Sequence, residues 1–86
     1  MYYFYVLRNI DDQKDFYVGS TNDLRRRFAE HNNGKQKSAA GRRWEMAYYE
    51  AYQNEEVARK RERTIKKNGR MRTLLMNRIK SQYQSD

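Results

Sequence analysis

The chain has no cysteine and no proline, a single histidine, a single tryptophan and four glycines in 86 residues. Without cysteine there is no disulfide framework and no thiolate-held zinc or iron–sulfur centre. One histidine likewise excludes a histidine cage for a metal. No stretch approaches the roughly 18 apolar residues of a membrane span. The opening MYYFYVLRN has no basic start before its apolar run, unlike a signal peptide. These absences lead to the expectation of a soluble cytoplasmic protein with no membrane partner. The length points to one domain, 1–86, with 81–86 as a frayed tail. A domain this small buries only about 60% of its unfolded surface, so its core has to be compact.

What the chain has in excess is positive charge: 19 Lys and Arg against 11 Asp and Glu, a net charge of +8. The surplus is unevenly placed. Residues 1–34 balance at five basic and five acidic groups, 35–44 add four basic groups, and 45–57 remove four. Residues 58–86 then carry ten basic groups against two acidic ones. A basic loop and a basic C-terminal third favour a polyanionic partner such as nucleic acid. A basic face kept for solubility is the plainer reading of the same charge.

Tyr2 to Arg8 is a dense aromatic and β-branched run, which predicts a strand. The polar turn Asn9 to Lys14 and the renewed strand chemistry of Asp15 to Ser20 complete a β-hairpin with a long loop. Gly19 marks a bulge or a place where something approaches the backbone closely. A helix is expected from Thr21 or Asn22, with Asn22 as N-cap, Gly34 as its stop, and Leu24, Arg27, Phe28 and His31 in one stripe. A basic loop from Lys35 to Arg43 leads to a third strand, Trp44 to Tyr52. Strict alternation there would put Trp44, Met46, Tyr48, Glu50 and Tyr52 on one face. Asn54 caps a helix ending at Asn68-Gly69, and a last helix from about Arg70 presents Met71, Leu74, Leu75 and Ile79. The order β-β-α-β-α-α describes an α+β domain: a small three-stranded, mainly antiparallel sheet flanked by three helices.

Two charged residues break this patterning. Arg27 lies within the first helix's inward stripe, and Ala58, Glu62 and Ile65 form a stripe that turns Glu62 toward the protein. An inward charge is costly unless it is paired or binds a counter-charge. Structural pairing of Arg27 and Glu62 with each other, or with tyrosine hydroxyls, is the simplest account. His31, and any single one of the eight tyrosines, is equally compatible with a structural role.

Tyr3-Phe4-Tyr5 and Tyr17-Val18-Gly19 resemble the two paired elements that name the GIY-YIG nuclease superfamily. In the first, Tyr3 and Phe4 stand where the family has Gly and Ile; in the second, Val18 replaces Ile. The stretch YVGSTNDLRRRFAEH (17–31) and the segment ARKRERTIKK (58–67) are most similar to the short, stand-alone bacterial branch, and the resemblance covers about residues 2–80. It implies a metal-dependent endonuclease acting on nucleic acid, DNA ahead of RNA, in a process such as DNA repair, and it leaves room for a protein partner. It assigns the catalytic arginine to Arg27 and the metal-binding glutamate to Glu62. The motif tyrosines become Tyr5 and Tyr17, and a histidine of several members becomes His31. Asn68 and Asn77 are candidates for an asparagine that some members use.

The implied chemistry is phosphodiester hydrolysis. Glu62 would hold one Mg²⁺ or Mn²⁺, hard ions that keep several waters. Arg27 would bind a non-bridging oxygen as charge develops. Tyr5, then Tyr17 or His31, would take the water's proton, a phenolate needing nearby positive charge to form near neutrality. Lys35, Lys37, Arg42, Arg43, Arg59, Arg63, Lys66, Lys67, Arg70 and Arg72 would contact phosphates, giving salt-dependent binding selective for shape rather than sequence. Two other readings remain: a non-catalytic nucleic-acid-binding module of the same fold, and a structural protein stabilised by an Arg27–Glu62 pair.

Overall fold

The computed structural model describes residues 1–33 and 42–83. Alternation along β1 (Tyr2–Asn9) sends Phe4 and Val6 to one face and Tyr5 and Leu7 to the other, and all four are buried. Apolar residues on both faces suit a central strand, and β1 is central in the order β2-β1-β3. It pairs antiparallel with β2 (Phe16–Thr21) and with β3 (Trp44–Tyr52). The Asn9 side chain closes the hairpin by accepting from the backbone N–H groups of Asp11 and Asp12.

Each helix starts at a side-chain cap. Asp23, not Asn22, caps α1 (Leu24–Asn32): its carboxylate accepts from Arg26 N at 3.0 Å. Thr21 still belongs to β2, which leaves Asn22 in the bend, where its Oδ1 accepts from the Arg26 guanidinium instead. Asn54 caps α2 (Glu55–Lys67), and Asn68 both terminates α2 and caps α3 (Gly69–Ser81). Asn68 thus carries a structural task at the α2–α3 joint, while Asn77 is exposed on α3. Helix α3 continues to the first residue of the stretch expected to fray.

The sheet separates two apolar clusters. Phe4, Val6, Val18 and Ala47 pack with Ile65 of α2 and Leu75, Met76 and Ile79 of α3. Tyr5, Leu7 and Trp44 pack with Tyr17, Met46 and the α1 residues Leu24 and Phe28. Two patterning expectations are corrected here. In β3 the register shifts opposite Val6 and Leu7, which pair with Tyr48 and Met46 and leave Ala47 as an extra residue. The bulge splits the expected single face: Trp44 and Met46 join the α1 cluster, whereas Tyr48 and Tyr52 join the other. In α3 the buried stripe is Leu75, Met76 and Ile79, with Leu74 60% exposed and Met71 at the surface.

The polar residues on the α2 side form a closed network. Glu50 accepts from the hydroxyls of Tyr48 and Tyr52 and from two nitrogens of Arg61. Burial pushes the Glu50 carboxyl up, but the hydrogen bonds from Arg61, Tyr48 and Tyr52 outweigh it and hold the group below its ordinary value. Tyr52, buried and donating to Glu50, is pushed up to about 12.

Candidate active site

Gly19 explains how Tyr5 is placed. The two residues are cross-strand partners, and a Cβ on Gly19 would lie 2.5 Å from the Tyr5 Oη. The Tyr5 ring therefore crosses β2 over a position that only glycine leaves open. From the other side α1 lowers His31, which is fully buried, onto the same spot. The Tyr5 hydroxyl and His31 Nε2 are hydrogen-bonded at 2.9 Å, and the imidazole tautomer sets which one donates. The Tyr17 ring meets the His31 ring edge-on at 4.5 Å between centroids.

Arg27, one turn before His31, is partly buried, with its Nη1 3.4 Å from Glu30. Glu62 arrives from the opposite layer. Its Oε1 accepts from the Ser20 hydroxyl at 2.6 Å, beside Gly19, and its Oε2 pairs with Lys66. The Arg27–Glu62 ion pair expected of a purely structural protein is replaced by these separate partners. The patterning is otherwise met: Ala58 and Ile65 are buried and Glu62 leans inward between them. Among the described residues, the buried side-chain N and O atoms without a hydrogen-bond partner are Arg27 Nε and His31 Nδ1. Such orphans are rare in folded proteins and call for an explanation.

The electrostatics tie these residues together. Burial, then the neighbouring Tyr17, pushes the Tyr5 phenol far above its ordinary value; Arg27 draws it down, while Glu62 and Glu30 raise it further. His31 is held below its ordinary value by burial and by Arg27. At neutral pH the Tyr5–His31 pair is therefore a neutral phenol beside a neutral imidazole. Of the nearby positive charge that a Tyr5 phenolate would need, Arg27 supplies a part that burial outweighs, and His31, held below its ordinary value, supplies none at neutral pH.

Among the described residues no group of three or more His, Cys, Asp or Glu could hold a metal. A single carboxylate with one hydroxyl beside it fits a hard ion that retains most of its water, not a metal needing a full protein cage. The carboxylates acting on Tyr5 are Glu62 and Glu30, of which Glu62 is the one beside a hydroxyl, that of Ser20.

The basic residues are more heavily paired than composition implies. Arg42 and Arg43 reach back to Asp15 and Asp11 of the hairpin loop, Arg59 pairs with Glu55, and Arg63 with Glu56. Exposed pairs of this kind are weak and open readily to a competing anion. Lys67 and Arg63 line a broad depression at the α2–α3 corner together with Lys60. Arg70 is exposed and Arg72 half-buried on α3. Lys35 and Lys37 lie outside the described residues, as does the expected stop at Gly34. Sequence reasoning did not single out Ser20, whose hydroxyl donates to Glu62. The signal for Ser20 was its place directly after Gly19, on the face opposite Tyr5, where β2 meets α2.

A family model described as the GIY-YIG catalytic domain matches residues 1–81. Relatives include UPF0213 proteins of Streptococcus pyogenes serotypes M3, M1 and M4, each 39% identical over 67 residues, covering 76% of this chain and 71% of the relative. No solved structure matches.

Proposed function

The chain belongs to the GIY-YIG family, a family of nuclease type, and from that premise we propose a divalent-metal-dependent endonuclease. It hydrolyses phosphodiester bonds in nucleic acid, DNA in preference to RNA, by recognising shape rather than base sequence. The observation that carries this reading is the pair of orphaned buried atoms. Both belong to residues around Tyr5, where four different elements converge. A fold that leaves a guanidinium donor and a ring nitrogen unpaired at one place is suited to an anionic ligand there.

Glu62 would hold one Mg²⁺ or Mn²⁺, with the Ser20 hydroxyl fixing Oε1. A divalent ion at that position supplies positive charge to the phosphate and the leaving oxygen. Arg27 binds a non-bridging phosphate oxygen, since its long contact to Glu30 leaves guanidinium donors to spare. The neutral Tyr5–His31 pair supports a relay rather than a resting phenolate. Tyr5 accepts a proton from the attacking water while its own proton passes to His31 Nε2, 2.9 Å away. Glu30, which favours the charged imidazole, stabilises the imidazolium that results. Tyr17 holds the ring by packing against it.

Cleavage of labelled plasmid, single-stranded and flap substrates, with Mg²⁺, Mn²⁺ or chelator, tests the proposal in wild type and Glu62→Ala. Metal-dependent nicking that disappears in the variant is expected. The variant should stay folded: it loses one hydroxyl bond and a half-exposed ion pair, a cost of about 1 kcal/mol. Binding without cleavage under any metal would leave a binding module. A collapse in stability would return Glu62 to a structural role.

A further inference from the structure

Between the start of α1 and the first half of α2, at the end of β2, lies a cavity of about 200 Å³. Its polar lining includes Ser20, Asn22, Arg26, Arg27, Glu55 and Arg59. Three arginines and one glutamate thus line it. The carboxylate is committed: Glu55 pairs with Arg59 at 2.6 Å within the same helix, in a half-exposed pair. Arg26 donates to the uncharged Asn22 Oδ1 at 3.2 Å. Arg27 brings the buried, unpartnered Nε. Ser20, which also lines the cavity, donates to Glu62. The cavity therefore opens directly beside the candidate active site and shares Arg27 with it.

We propose that this cavity is a second phosphate subsite, seating the phosphodiester next to the reacting one on the same strand. The inference rests on the reading that Arg27 and Glu62 flank the reacting phosphate. An arginine fork matches a phosphate with two parallel hydrogen bonds, and a phosphate can displace Glu55 from Arg59 because that pair is solvent-screened. Arg26 and Arg59 approach from two different helices, so the ligand they share has its position fixed by both. With Arg27 contributing to both places, the subsite sets which bond along the strand reaches Glu62. It gives the enzyme a requirement for at least two consecutive phosphates.

Binding in chelator, where no cleavage occurs, tests this independently of activity. Thymidine 3′,5′-bisphosphate and the two thymidine monophosphates are titrated against ¹⁵N-labelled protein at near-physiological salt. The arginine Nε–Hε resonances serve as the readout. The bisphosphate is expected to bind about tenfold tighter than either monophosphate, as a well-paired phosphate contact does. Arg59→Ala should bring it down to the monophosphate level, with Arg59→Lys in between. Arg78→Ala on α3 controls for net charge and should leave the ratio unchanged. Equal binding of bisphosphate and monophosphates, or an equal loss for all three in Arg59→Ala and Arg78→Ala, would overturn the subsite. A positive result in a protein that cuts no substrate would keep the subsite and remove the nuclease reading. Cleavage without the bisphosphate preference would do the reverse.

Discussion

Replacing Gly19 by alanine tests the packing on which the candidate site depends. The new methyl group would lie 2.5 Å from the Tyr5 Oη and 2.7 Å from its Cζ, where ordinary contact begins at 3.4 Å. The ring has to retreat by about 0.9 Å, and it has little freedom to do so. Tyr5 is 3% exposed and bonded to His31, which is itself fully buried. Overpacking of this kind costs roughly 1–3 kcal/mol, and loss of the Tyr5–His31 bond adds about 1. Against this, Gly19 lies in regular strand, where alanine stabilises by about 0.4–1 kcal/mol through the unfolded chain. The net expectation is a loss of about 1–3 kcal/mol. For a domain of this size that is a fall in Tm of roughly 5–20 °C. Thermal unfolding followed by circular dichroism measures it. In a Tyr5→Leu background, where the shorter side chain leaves room, the same substitution should cost under about 1 kcal/mol. A Tm within about 2 °C of wild type for the single variant would refute the close approach. So would an equal cost in both backgrounds.

Glu50→Ala removes the acceptor shared by Tyr48, Tyr52 and Arg61, leaving a largely buried guanidinium unpaired, and should cost about 2–4 kcal/mol in chemical denaturation. Because Glu50 is held below its ordinary 4.5, its contribution is present above that pH and lost as pH falls through its own lower value. Glu50→Gln should therefore flatten the acid limb of the stability curve. His31 titrates in the other sense of charge but with the same sign of slope. Its value is depressed from 6.5, so below pH 6.5 the unfolded chain binds a proton that the native state refuses. Tm should drop between pH 7.5 and 5.5, and a His31→Asn variant should show a smaller drop; equal slopes would place the titrating group elsewhere.

The candidate site was partly legible because its signals are local. Arg27 and Glu62 stood out as charges in apolar helical stripes, and both do lean inward. Gly19 stood out as a glycine in strand chemistry, and Tyr5 does cross it. What could not be read was the set of partners. The simplest pairing of two inward charges was with each other, whereas Arg27 contacts its helix neighbour Glu30 and Glu62 contacts Ser20 and Lys66. Arg26 was hidden for a related reason, since an exposed arginine acquires meaning only when α2 brings Arg59 across from it.

The sequence by itself determined the order of elements, the hairpin, the N-cap at Asn54, the break at Asn68-Gly69, and which stripes of α1 and α2 turn inward. These follow from backbone periodicity and from hydrogen bonds a few residues long, which act before distant parts of the chain meet. Tertiary structure decided the bulge at Ala47, the rotation of the α3 stripe and the meeting of the two helix layers at β2. Strict alternation in β3 would have kept Trp44 and Tyr48 on one face. The extra residue instead lets each fill a different core, and the Ala47 carbonyl accepts from the Gln82 amide at the end of α3. Packing of large side chains outweighs local pattern wherever both cannot be met, because burying a tryptophan or an isoleucine stabilises by more than a regular register does.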